Sequence, residues 1–71
     1  MVRKPTAKEL GAFIRRHRLA RGMTQGELGE QVGTNKHEIY THESGRVVPS
    51  AARWLMICEV LDAPKFVQSD A

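Results

Sequence analysis

Three short segments of this 71-residue chain carry the pattern of a helix N-terminus, and they constrain its fold more than any other feature. Each places a Thr or Asn three positions before a glutamate, in TAKE (6–9), TQGE (24–27) and NKHE (35–38). In such a capping box the two side chains bond each other's free backbone amides. An apolar residue follows each segment at once, as expected where an amphipathic helix begins.

Glycines indicate where these helices end. Gly22, Gly33 and Gly45 stand where a left-handed backbone conformation would close a helix, and Ser50 supplies a fourth start. The signals predict helices over 7–21, 25–32, 36–44 and 50–61, with a short helical turn at 65–68. No segment alternates long enough to predict a strand. We therefore expect an all-α domain of four to five helices.

The length limits the chain to one domain over residues 1–71, with its core at about 6–62. So small a core is marginal, and its stability depends on its surface or on a partner subunit. No stretch reaches the roughly 18 apolar residues of a membrane span. The N-terminus also lacks the apolar run of a signal peptide, so we expect a cytoplasmic protein with no membrane partner.

The sequence argues against catalysis and against a metal site. Cys58 is the only cysteine and can form neither an internal disulfide nor a cysteine cluster, and its apolar neighbours suggest burial in a helix. No metalloprotease, phosphate-loop or nucleophile motif is present. We expect no enzyme activity, no metal and no cofactor.

The positive charge of the chain is concentrated near its N-terminus. The net charge is only +3, yet seven basic residues fall within the first 21 positions, against one acid, Glu9. Such a block is typical either of a solvated helix face or of a nucleic-acid binder. Charge alone leaves both interpretations open.

A very short connection, Gly33 to Asn35, joins the second and third predicted helices. The second helix is only about 12 Å long at 1.5 Å per residue and cannot bury its apolar face alone. Leu28 and Val32 lie on one side of it, and Ile39 is the matching residue of the third helix. Gly29 costs roughly 1 kcal/mol relative to alanine in a helix, so it indicates a close backbone approach. This combination predicts a helix-turn-helix.

The stretch from Leu10 to Pro64 resembles the lambda-repressor-like, or Cro/XRE, DNA-binding domains. The most specific matches are RGMTQGELG, VGTNKHEI and ESGRVVPS, in the order and spacing of that family. The resemblance implies that the third helix enters the major groove of double-stranded DNA and that the second lies across the backbone. It also implies that two subunits read two half-sites.

The first residues of the third helix are the candidates for reading bases. A major groove about 12 Å wide admits one helix, whose solvent-facing residues near the N-terminus reach base edges. The candidates are Lys36, His37, Tyr40 and Thr41, with Glu38 beside them. Glu38 also has a role in the cap, and the alternative for the whole set is a polar, solvated helix face.

Candidate phosphate contacts lie around the turn. Gln25 stands at the start of the second helix, where free amides favour an anion, and the matching Gln binds the DNA backbone in the family. By the same resemblance, further phosphate contacts fall to Thr24, Asn35, Ser44 and Arg46. Such contacts position a protein on DNA without reading sequence.

The resemblance also suggests a structural ion pair, Arg18 with Glu43, between the first and third helices; ordinary surface charges are the alternative. His42 departs from the family where Ile, Leu or Trp is usual, and His17 where Leu is frequent. We interpret both as partly buried imidazoles with local hydrogen bonds rather than as metal ligands or pH switches.

The fourth helix is apolar nearly all round. Five residues can face the core: Ala51, Trp54, Leu55, Cys58 and Leu61. A second stripe suggests a surface that needs covering. Covering it with a twofold-related copy predicts a homodimer interface of Ala52, Met56, Val60, Ala63, Phe66 and Val67. The alternatives are a C-terminal segment that folds back over it, or a protein partner.

Together these features predict a DNA-binding transcriptional regulator, specifically a repressor that binds a dyad operator as a homodimer. The competing class is a protein-binding module of the antitoxin or adaptor kind, which would use the fourth helix and the C-terminal surface. Such a module would tolerate charge reversal at Lys36, whereas a DNA-binding regulator would not.

Overall fold

The computed structural model describes residues 4–64, which form four α-helices. These are α1 (Ala7–Ala20), α2 (Gln25–Gln31), α3 (Lys36–Glu43) and α4 (Ala51–Leu61). All four predicted helices are confirmed, each shorter by one residue at an end where the flanking residue is a cap. The helical turn expected at 65–68 lies outside the described residues. None of the helices within residues 4–64 is long and apolar enough to cross a membrane.

The capping boxes of α1 and α2 form as predicted. In α2 the Thr24 hydroxyl accepts from the Glu27 amide at 3.0 Å, and the Glu27 carboxylate accepts from the Thr24 amide at 2.8 Å. The hydrogen bonds from the Thr24 backbone and hydroxyl lower the pKa of Glu27. The sequence therefore specified these two helix starts through local contacts alone.

The cap of α3 is only half of the predicted box. The Asn35 side chain accepts from the Glu38 amide at 2.9 Å. The Glu38 carboxylate does not complete the box; it lies 3.6 Å from Nε2 of His42, one turn further along the helix. The expectation of a reciprocal bond at this start was wrong, because His42 offers a competing partner at i+4.

One core joins the helices. Its buried residues are Ile14, Leu28, Val32, Ile39, Ile57 and Leu61. The three residues predicted to unite the second and third helices are among them. Gly11 of α1 is also essential to this packing, although the sequence did not single it out. A Cβ there would lie 2.4 Å from the backbone oxygen of His42, so α1 and α3 cross in near backbone contact.

The core-facing side of α4 differs from the prediction. Ile57, Cys58 and Leu61 are buried, with Trp54 partly buried, whereas Leu55 is 47% exposed and Ala51 is exposed. The spacing 54, 57, 58 and 61 is that of one helix face. Assigning Leu55 and Ala51 to the core was wrong, because an all-apolar helix does not reveal which of its stripes the other helices contact.

Candidate nucleic-acid interface

The turn between α2 and α3 sets how the two helices meet. Gly33 has φ +79°, a left-handed conformation that side-chain-bearing residues rarely adopt. The Thr34 amide donates to the Gly29 carbonyl at 2.7 Å, and the Gly33 amide donates to the Glu30 carbonyl at 3.3 Å. These bonds close α2 in a Schellman motif. Only three residues, 33–35, thus separate the end of α2 from the start of α3 after the cap at Val32.

Gly29 makes the close approach for which its position was singled out. A Cβ on Gly29 would lie 2.7 Å from the carbonyl carbon of Asn35 and 2.8 Å from its oxygen. Any larger residue would push the start of α3 away from α2. The absence of a side chain at Gly29 therefore positions the first turn of α3.

The exposed side of α3 carries three of the five base-reading candidates. Lys36, His37 and Tyr40 are exposed, Tyr40 by 46%, while Ile39 on the opposite side is fully buried. The rings of His37 and Tyr40 stack with centroids 6.5 Å apart and planes inclined by 29°. The face therefore presents an ammonium group, an imidazole and a phenol from adjacent positions.

The other two base-reading candidates, Thr41 and Glu38, have partners within the domain. Thr41 is half-buried, whereas the Glu38 side chain is 47% exposed. The Thr41 hydroxyl donates to the Glu38 carbonyl at 2.8 Å, and the Glu38 carboxylate faces His42. Contact with a base would have to compete with these partners.

Of the five phosphate candidates, four make internal hydrogen bonds. Thr24 and Asn35 cap α2 and α3. The Ser44 hydroxyl donates to the Thr41 carbonyl at 3.1 Å, and the amide nitrogen of Gln25 donates to Glu43 Oε1 at 3.1 Å. Arg46 is exposed just after α3.

Gln25 lies beside the base-reading candidates. An open depression is lined by Gln25, Asn35, Lys36, His37 and Tyr40. A second one runs between the α1–α2 turn and the start of α3, and its lining includes Thr24, Gln25 and Lys36. The structure thus brings the start of α2 and the start of α3 onto one surface, with Gln25 at the boundary of the two depressions.

The structure brings Arg18 and Glu43 together as a bidentate pair. Arg18 Nε donates to Glu43 Oε2 at 2.6 Å and Nη2 donates to Oε1 at 3.0 Å. The two side chains are only 9% and 4% exposed. The remaining Arg18 nitrogen donates to the Met23 carbonyl at 2.8 Å. One guanidinium therefore links α1, the α1–α2 turn and the end of α3.

The basic block near the N-terminus does not act as one unit. Arg18 is buried in the ion pair, and Arg21 donates to the Leu61 carbonyl and pairs with Asp62 at 3.2 Å. Arg15 and Arg16 remain exposed. Part of the block thus holds helices together, and a solvated face or a nucleic-acid contact stays a prediction for the exposed members.

The two histidines at which the sequence departs from the family, His17 and His42, lie in partly or fully buried positions. His42 is 4% exposed, and its Nδ1 lies 2.8 Å from the Val47 carbonyl oxygen. His17 is half-buried and packs its ring 4.4 Å from that of Phe13. Within residues 4–64 no cluster of three His, Cys, Asp or Glu side chains could hold a metal ion.

The predicted dimer surface is only partly open. Ala52 and Met56 are exposed, whereas Val60 and Ala63 are partly buried and pack against the core. Phe66 and Val67 lie outside the described residues. Leu55, which was assigned to the core, lies instead on the exposed side of α4 beside Met56, each 47% exposed.

A family model described as a helix-turn-helix domain matches residues 9–65 of this chain. No curated protein matches it by sequence. Among solved structures, the chain is similar to the clp gene regulator ClgR from Corynebacterium glutamicum, with a TM-score of 0.79 and 30% identity. That match covers 89% of this chain and 68% of ClgR.

Two further structures are similar. The restriction-modification controller protein C.AhdI from Aeromonas hydrophila gives a TM-score of 0.78 at 24% identity, over 83% of this chain and 89% of C.AhdI; this match supports the fold alone. PlcR from Bacillus thuringiensis, solved in complex with the peptide PapR7 and DNA, gives a TM-score of 0.75 at 34% identity. There the match covers 82% of this chain but only 20% of PlcR.

Proposed function

Because this chain belongs to the helix-turn-helix domain family of DNA-binding transcription regulators, we propose that it is a sequence-specific repressor that binds a dyad operator as a homodimer. The resemblance to Cro/XRE domains inferred from the sequence is confirmed by these matches. Beyond family membership, we propose that α3 enters the major groove, that α2 lies across the DNA backbone, and that two copies of the chain bind together.

The arrangement of α3 carries the proposal. Its exposed residues Lys36, His37 and Tyr40 lie on a helix whose start is held against α2 by the contact at Gly29. A rigid helix with exposed donors near its N-terminus suits base reading in the major groove. Lys36 can donate to guanine, and His37 can donate or accept according to its tautomer.

The positions around α3 suit contact with phosphates. Three of them lie at the starts of α2 and α3, and two lie at or just after the end of α3: Thr24, Gln25, Asn35, Ser44 and Arg46. Contacts with phosphates fix register without reading sequence. Repression follows from this model if the operator overlaps a promoter, since a bound dimer then blocks it. A cytoplasmic location is part of the same proposal.

Salt-dependent DNA binding tests this function directly. If a dimer makes roughly 6 to 10 phosphate contacts, affinity for a selected duplex should fall about 10³ to 10⁵-fold between 50 and 200 mM salt. Selection from random duplexes at a stated salt concentration would supply the site, and fluorescence anisotropy would give the slope.

Lys36→Glu separates the proposed function from a protein-binding module. Charge reversal on the groove face should abolish binding of the selected duplex, because a carboxylate would face base edges and phosphates. A module that acts through α4 would tolerate the change. A flat salt titration, or full DNA affinity in Lys36→Glu, would contradict the proposal.

A further inference from the structure

Glu43 accepts hydrogen bonds from two residues with different proposed roles. Its side chain is 4% exposed, and the carboxylate accepts hydrogen bonds from Arg18 Nε and Nη2. It also receives the amide nitrogen of Gln25 at 3.1 Å, on the same oxygen that Arg18 Nη2 contacts. Glu43 therefore joins the buried ion pair to a residue that borders the proposed DNA-binding face.

We propose that Glu43 is a positioning residue for DNA: through its hydrogen bond it fixes the Gln25 side chain so that the amide donates to a phosphate. This inference rests on the proposed function and deepens it. The ion pair is then part of the binding apparatus as well as a contact between helices.

The chemistry of the bond determines which end of the amide faces Glu43. A carboxylate paired with a guanidinium only accepts hydrogen bonds, so the nitrogen of Gln25, and not its oxygen, points toward it. An amide nitrogen carries two hydrogens, and Glu43 Oε1 takes one of them. The second N–H is left to donate to a phosphate oxygen.

The buried ion pair also orders the Gln25 side chain before DNA binds. Glutamine is among the side chains that lose most rotamer freedom when ordered. Here the ordering is completed on folding, because Glu43 is itself held by two bonds from Arg18. Preorganised contacts bind more tightly than equal contacts that must be ordered on binding. Gln25 also borders both depressions beside Lys36, where a phosphate would meet it.

The test removes the acceptor without leaving a buried charge. Arg18→Met/Glu43→Leu replaces both partners by apolar side chains of similar size, a change that buried pairs often tolerate. Ile57→Val, which trims the core on α4, is the control for a general loss of stability. Each variant is also made with Gln25→Ala, and folding is checked by circular dichroism before binding is measured.

Two measurements are compared at one salt concentration. In NMR spectra of the free protein, the Gln25 side-chain amide protons should move to ordinary solvated glutamine shifts in Arg18→Met/Glu43→Leu and stay unchanged in Ile57→Val.

The second measurement is binding of random duplexes. Gln25→Ala and Arg18→Met/Glu43→Leu should each weaken this binding by about tenfold, the size of one lost hydrogen bond to a charged group. The variant that combines Gln25→Ala with Arg18→Met/Glu43→Leu should bind random duplexes little more weakly than either parent variant.

Three outcomes would overturn the inference. Gln25→Ala could weaken binding by the same factor in the wild type and in Arg18→Met/Glu43→Leu, which would show that Gln25 acts independently of Glu43. Arg18→Met/Glu43→Leu could bind as the wild type does, or Gln25→Ala could be silent in a wild type that binds DNA. A wild type that binds no DNA would overturn the proposed function as well, which distinguishes the two failures.

Discussion

At the scale of single residues, α3 divides its polar groups between the domain and the solvent. Glu43 pairs with Arg18, and the Thr41 hydroxyl bonds the Glu38 carbonyl. Lys36 and His37, by contrast, lie at exposed positions. Because an engaged group must give up a partner before it can contact a base, we expect Lys36 and His37 to contribute most of the sequence preference.

Alanine substitutions should separate base readers from phosphate contacts. Lys36→Ala or His37→Ala should cost about 1 to 3 kcal/mol on the best site and little on random DNA, since each removes a base-edge contact. Gln25→Ala should instead weaken every duplex by a similar factor. All three are titrated against matched and scrambled duplexes at one salt concentration. The groove assignment would be wrong if Gln25→Ala changed sequence preference while the other two weakened all duplexes equally.

Glu27 should add an acid-sensitive component to stability. Its pKa is lowered in the folded state by the bonds from Thr24, so the unfolded chain binds the proton more tightly. The stabilisation is complete above the ordinary value of 4.5 and is lost as the pH falls through the lower folded pKa.

Urea unfolding at pH 7 and pH 3 measures this component. Glu27→Gln keeps an acceptor for the Thr24 amide at both pH values, so the fall in midpoint between them should be smaller than in the wild type. Glu30→Gln removes an exposed carboxylate of the same helix outside the capping box, and is the control. Equal falls in Glu27→Gln and the wild type would contradict the assignment.

At the scale of elements, the unit that matters is the pair α2 and α3. Neither is long enough to be stable alone, since helices under about 12 residues are marginal in water. Their mutual orientation depends on backbone contact at Gly29 and on the left-handed conformation of Gly33. Changes there should affect DNA binding even though neither glycine offers a side chain to DNA.

Two glycines of α2 should respond in opposite ways to the same substitution. A Cβ at Gly26 would meet only the Thr24 hydroxyl at 3.9 Å, so Gly26→Ala should stabilise the domain, by up to about 1 kcal/mol. A Cβ at Gly29 would collide with the Asn35 backbone. Gly29→Ala should therefore destabilise by about 1 to 3 kcal/mol and lower affinity for the selected site.

Thermal and urea unfolding give the two stabilities, and anisotropy gives the affinities at a temperature where both variants are folded. If Gly29→Ala were as stable as Gly26→Ala and bound DNA normally, the close approach of α3 to α2 would not be required.

At the scale of the whole molecule, the described domain leaves α4 with an uncovered side. Leu55 and Met56 are each 47% exposed, and Ala52 is exposed near them. Single exposed apolar residues are ordinary, but adjacent ones on one helix are typical of an interaction site. A second copy is the occupant that the proposed dyad requires.

Met56→Glu should therefore abolish cooperative binding to paired half-sites. The half-sites should be related by a dyad and lie about one helical turn, 10 to 10.5 base pairs, apart. A charge placed in a dimer contact would be buried without a partner. Ala12→Glu, which adds the same charge on an exposed position of α1, should leave cooperativity intact. Footprinting and titration of duplexes with one and with two half-sites measure the cooperativity of the wild type and of both variants. Full cooperativity in Met56→Glu would contradict this interface.

The sequence alone determined the features that depend on near neighbours in the chain. The helix starts at Thr6 and Thr24 and the stops at Gly22, Gly33 and Gly45 follow from bonds that span three to five residues. All three glycines have the predicted positive φ. Such local contacts are specified by residue type and spacing, which are visible without a fold.

Tertiary structure decided whatever depends on which surfaces meet. Sequence spacing could not show that Leu55 faces out and Ile57 faces in, because α4 is apolar on several sides. It could not show that Gln25 bonds Glu43, 18 positions away. These outcomes depend on competition between partners distant in sequence, and only packing brings those partners within reach of one another.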